Sequence, residues 1–115
     1  VTHCNHPNEL DNNIKNKMAR LQQNNITVLN QSVLLRNIND NPQTLIKLSY
    51  ELFECHILPY YLHLLDPVTG TEHFNINTDD AKKIMQSVAA QLSGYLVPKL
   101  VQEIPTRPNK TIIEF

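Results

Sequence analysis

With 115 residues, 41% of them hydrophobic and 18% charged, the chain has the size of one domain and the means for a modest core. Ten basic against eleven acidic side chains leave a formal charge of −1 with no basic block, which excludes an electrostatic nucleic-acid surface. Apolar runs such as ILPYYLHLL are too short and interrupted to span a bilayer, and the first residues given do not read as a signal peptide, so none is expected.

The chain begins on Val1 rather than methionine, so a fragment or a processed product is expected. Residues 1–4 are a short apolar start that runs at once into the polar stretch HCNHPNE. Asp11 is placed to cap a first helix, in which Ile14, Met18 and Leu21 recur at helical spacing until Asn24 and Asn25 signal a turn. Residues 26–35, ITVLNQSVLL, read as a buried strand interrupted by Asn30, Gln31 and Ser32. Asn41 as cap and Pro42 at the first helical position start a second helix, whose apolar face is Leu45, Ile46, Leu48, Leu52 and Phe53. A second strand follows at 57–65, with Pro59 tolerable near a strand start or on an edge.

Thr78 is expected to cap a third helix, with Asp79 and Asp80 in its first turn and Ala81, Ile84, Met85, Val88 and Leu92 along its buried stripe. Gly94 suits a left-handed C-terminal cap. A last strand is expected at 99–104, and Ile112, Ile113 and Phe115 as an apolar clasp. The order is therefore β-α-β-α-β-α-β with parallel strands, an α/β architecture. Four strands are too few to close a barrel, so the chain reads as part of something larger.

One pattern concerns function. His3, Gln31, Asp66 and Glu103 are polar and lie toward the C-terminal ends of predicted strands, the end at which parallel α/β folds build active sites. His3 and His6 form HxxH, but no second ligand pair supports zinc; these rings satisfy loop backbone groups or bind a polar ligand. Gln31 serves a structural hydrogen bond or a ligand, and His63 is a core histidine or points into the same cavity. Asp66 and Glu103 suit acid–base chemistry, recognition of an ammonium group, or a surface cap or salt bridge. Lys110 is a solvated tail lysine or, if sheltered, a carrier for a carbonyl cofactor. Cys4 and Cys55 fit no metal spacing, and a reducing cytoplasm is the expected location.

At these residues the chain resembles the lysine 2,3-aminomutase family, through THCNHPNE, LNQSVLLRNIND, LPYYLHLLD, the His73-Phe74 pair, SGYLVPKLVQEI and PNK. The resemblance runs in family order from Thr2 to Lys110 and implies the C-terminal half of a radical S-adenosylmethionine enzyme on a partial (β/α) barrel. It implies that Lys110, in a loop at 105–115, anchors pyridoxal phosphate. It further implies that Asp66 and Glu103 hold the side-chain ammonium of L-lysine, that Gln31 and His3 contact S-adenosylmethionine, and that His63 stands near both cofactors. The family's CxxxCxxC motif for the [4Fe-4S] cluster is absent, so no metal ligand is expected here and the chain alone is expected to be inactive.

IPTRPNK replaces a glycine-rich run before the lysine, and the chain ends five residues after Lys110 without a zinc-binding extension. Both point to the branch that makes β-lysine for a ligase acting on elongation factor P, with assembly into homo-oligomers left open. The alternative from a different class is a non-catalytic remnant kept as a binding domain.

Overall fold

The computed structural model describes residues 1–65, 74–103 and 109–115. Among them α1 (Asn12–Gln23), β1 (Val28–Leu34), α2 (Pro42–Glu54), β2 (Ile57–Leu64), α3 (Thr78–Gln91), β3 (Lys99–Gln102) and β4 (Thr111–Ile112) follow in chain order. Short 3-10 turns lie at Pro7–Glu9 and Gly94–Leu96. One sheet has the order β1-β2-β3-β4. The pairs β1–β2 and β2–β3 are parallel because a helix carries the chain back between them.

β1 alternates strictly, with Val28, Asn30, Ser32 and Leu34 buried and Leu29, Gln31 and Val33 half-buried. The buried side meets the helices. Leu45 of α2 and Ala81, Met85 and Val88 of α3 pack with Leu34, Leu62, Leu64 and Leu100. Leu48 and Leu52 of α2 join Val28, Ile57, Cys4 and Cys55, with Met18 and Leu21 of α1 against them. All three helices thus cover one face of the sheet. Each fully buried leucine there contributes about 2 kcal/mol by leaving water.

The strand expected at 99–104 runs from Lys99 to Gln102, parallel to β2, and the C-terminus adds a further strand. β4 runs antiparallel to β3, pairing Val101 with Ile112 and Gln102 with Thr111, because a return this short can make only a hairpin. Ile113 packs against the core, whereas Ile112 and Phe115 remain exposed, so the expected clasp is one residue deep. At the other edge, residues 1–4 make a single parallel bridge, Thr2 to Asn30, rather than a full strand.

Two expected caps are corrected. Asn77, not Thr78, caps α3: its Oδ1 accepts from Asp80 N at 2.8 Å, and an amide oxygen reaches the third backbone N–H as a hydroxyl would. Gly94 does not adopt the left-handed conformation; α3 ends on Leu92 in extended backbone, and Gly94 opens the next 3-10 turn. Phe53 lies off the buried face of α2, 44% exposed, edge-on to Tyr95 with ring centroids 5.6 Å apart. The caps Asp11 and Asn41 stand where the sequence places them.

Pro59 sits in an interior strand, and a bulge absorbs it. The register passes from Asn30↔Pro59 to Gln31↔Tyr61, leaving Tyr60 unpaired. The extra residue decides which side chains face which way. Beyond it Leu62 and Leu64 point into the core, while Tyr61 and His63 stand beside Gln31 and Val33 on the face without helices.

Candidate functional site

The N-terminal segment is fastened to β1 mostly by side-chain amides. Thr2 N donates to Leu29 O and Gln31 N to Thr2 O, both at 2.9 Å. Asn30, 1% exposed, then completes its amide: Oδ1 accepts from Thr2 Oγ1 at 2.7 Å and Cys4 N at 2.9 Å, and Nδ2 donates to Cys4 O at 3.0 Å and Ser32 Oγ at 2.9 Å. Asn39, fully buried, donates to Asn5 O and Val33 O and accepts from Leu35 N, each at 2.8 Å. Asn5 Oδ1 accepts from Val33 N at 2.9 Å. Buried amides need partners, and here Thr2, Cys4 and Asn5 of the segment that carries His3 supply several of them, the rest coming from Ser32, Val33 and Leu35.

That fastening completes one wall of a cavity of about 460 Å³ on the open face of the sheet. His3 and Asn5 line it from the N-terminal segment, Gln31 and Val33 from β1, His63, Leu64 and Leu65 from β2 and its end, and Glu103 from just past β3. The apolar members keep part of the wall dry, and the polar ones converge from separate stretches of chain, as ligand sites do. Burial foremost, and then the positive charge of Lys110, holds the His63 imidazole below its ordinary 6.5; His3 acts in the same direction and Glu103 against it.

Lys110 reaches the site through the hairpin. The β3–β4 register, continued one step past Gln102↔Thr111, sets Glu103 opposite Lys110. Their charged groups are 3.7 Å apart, with the lysine side chain 32% exposed and the carboxylate 69%. The Lys110 ammonium also lies 5.6 Å from the Tyr61 ring centroid, and Tyr61 meets His63 edge-on at 5.9 Å. A primary amine, a carboxylate, an imidazole and a phenol ring thus form one connected group.

Four expected site residues, His3, Gln31, His63 and Glu103, share this cavity, and Lys110 adjoins it through Glu103. Gln31 is mid-strand rather than at a strand end, and it faces the cavity because of its place in the alternation. Asp66 and His73 lie outside the described residues. His6 turns to a local task, its Nδ1 accepting from Asn8 N at 3.1 Å to cap the first 3-10 turn. Among the described residues no group of three His, Cys, Asp or Glu is arranged to hold a metal ion. Both cysteines are buried free thiols; the Cys4 thiol donates to His6 O at 3.3 Å, and burial pushes its pKa up to about 12.

Sequence reasoning gave Asn5 only the task of satisfying backbone groups, which its bond from Val33 N fulfils, and passed over Tyr61. Asn5 stands two residues from His3, the period that keeps side chains on one side of an extended segment. Tyr61 stands two before His63, but its direction follows from the bulge at Tyr60, which no local signal reveals.

No family model matches the chain. Individual proteins do. It is 50% identical over 114 residues, 99% of its length, to the L-lysine 2,3-aminomutase of Escherichia coli strain K12, and 53% identical over 112 residues, 97% of its length, to that of Haemophilus influenzae. The glutamate 2,3-aminomutase of Clostridioides difficile is 34% identical over 110 residues, covering 96% of the chain and 26% of that protein. The chain spans about a third, 33%, of the length of the first two relatives.

Proposed function

As a homologue of lysine 2,3-aminomutases along nearly all of its length, this chain is, we propose, the segment of an L-lysine 2,3-aminomutase that brings the substrate and two organic cofactors together. The supporting observation is the convergence of His3, Gln31, His63 and Glu103, from four separate stretches, at one cavity on the helix-free face, with Lys110 beside it at Glu103.

Lys110 suits pyridoxal phosphate: it is a primary amine, two-thirds sheltered, beside an aromatic ring and the cavity. When bound, that cofactor supplies a carbonyl to take up an amino group and a ring to delocalise electrons while the group moves. Glu103, together with Asp66, takes the ammonium at the far end of L-lysine and so limits which carbon faces the reacting groups. His3 and Gln31, joined by Asn5, offer donors and acceptors for the polar groups of S-adenosylmethionine. His63, held toward its neutral form, presents one donor and one acceptor between the two sets. Val33, Leu64 and Leu65 exclude water from the same cavity.

An iron–sulfur cluster does not fit the described residues. The thiols are buried in the core and no ligand trio is present, so no step is assigned to a cluster here and the chain by itself is proposed to be inactive. The run IPTRPNK resembles the branch that makes β-lysine for elongation factor P, whose ligase is the proposed consumer of the product.

The test uses the full-length protein supplied with iron, sulfide, S-adenosylmethionine and pyridoxal phosphate. L-lysine should yield β-lysine, and L-glutamate should remain unconverted. Lys110→Ala should lose the visible absorbance of bound pyridoxal phosphate. Preference for glutamate, or an unchanged spectrum in Lys110→Ala, would overturn the reading. Formation of β-lysine by the 115-residue chain alone would overturn the proposal of inactivity.

A further inference from the structure

The 3.7 Å pair of Lys110 with Glu103 has a consequence for the order in which the site fills. A carboxylate proposed to receive the ammonium of a substrate lysine already faces the ammonium of a lysine in the chain. We propose that Lys110 occupies the substrate-ammonium subsite at Glu103 with its own side chain, and that loading Lys110 with a carbonyl compound opens that subsite. This rests on the roles given above to Lys110 and Glu103.

Three observations support the proposal. The β3–β4 ladder ends at Gln102↔Thr111, immediately beside both residues, so the backbone brings Glu103 and Lys110 near one another. The Tyr61 ring lies 5.6 Å from the same ammonium and holds it on the open face. His63 lines the cavity with Glu103, and the Lys110 charge, after burial, helps to hold its pKa down.

The chemistry of loading removes the occupant. When the lysine nitrogen joins an aldehyde carbon, a carbon–nitrogen double bond forms, and the carbonyl oxygen leaves as water with two of the three ammonium hydrogens. The nitrogen then keeps at most one hydrogen, and a compact three-donor cation no longer faces Glu103. A second ammonium meets a free carboxylate. The gain is bounded by the strength of a partly exposed ion pair, about fivefold in affinity at most. Such a factor favours cofactor before substrate without enforcing it.

The experiment measures binding of n-butylammonium, which has the ammonium of lysine and none of its α-groups, to full-length protein freed of pyridoxal phosphate, by ligand-observed NMR. Lys110→Met is expected to bind the probe about three- to fivefold tighter than wild type. Lys110→Arg, which keeps the charge, should match wild type, and adding Glu103→Gln to Lys110→Met should remove the gain. Lys110→Gln, polar and neutral, serves if the methionine variant fails to fold. Weaker binding in Glu103→Gln with no change in either neutral Lys110 variant would overturn this proposal and leave Glu103 as the ammonium site. No response to any of these changes would overturn the assignment of Glu103 itself.

Discussion

Asn30 sits in the middle of a strand, buried, with all four of its amide hydrogen-bonding positions filled. Replacement by leucine keeps the volume but strands Cys4 N and the Thr2 hydroxyl without their acceptor. Asn30→Leu should therefore cost about 3 kcal/mol in urea unfolding, more than an ordinary polar substitution. At His63 charge decides the outcome. Its folded-state pKa lies below 6.5, so as pH falls through 6.5 the unfolded chain takes up a proton first. The stability tied to His63 is complete above 6.5 and declines below it, and His63→Gln should flatten that part of the curve. Lys110→Met should move the His63 titration, followed by NMR, upward toward 6.5, since a repelling charge is gone; an unmoved titration would separate the two residues. Cys4 makes a kinetic statement: a thiol with pKa near 12 should stay unlabelled by a thiol reagent at neutral pH until the chain is unfolded.

Among the elements, helix starts were legible and strand partners less so. Asp11 and Asn41 cap their helices because capping is settled within four residues of sequence. At α3 the expected cap is Thr78, and the backbone geometry places its neighbour Asn77 there instead. Asn77→Ala should accordingly lower stability by about 1 kcal/mol, and Thr78→Ala by much less, in paired thermal melts. In β2 the bulge at Tyr60 is what aims His63 at the cavity. β4 escaped notice because two residues carry no periodicity. Its pairing with β3 nevertheless brings Lys110 beside Glu103, with their charged groups 3.7 Å apart.

Across the whole molecule, one face of the sheet is covered by helices and the other holds the cavity. Leu62, fully buried at the centre of the covered face, anchors the arrangement. Leu62→Ala should cost about 3 kcal/mol and lower the unfolding midpoint without altering n-butylammonium binding to the folded state. Among the described residues no helix is long and apolar enough to cross a membrane. The sequence by itself determined the α/β class, the three helices, the two long strands and, as candidates, four of the eight described residues that line the cavity. Those features rest on local periodicity and caps, and on motifs that survive as short strings. Only the tertiary structure decided the antiparallel hairpin, the bulge and the amide fastening of His3 and Asn5 to β1. Each depends on pairing between residues distant in sequence or on a one-residue shift of register, and neither leaves a local trace in composition or spacing.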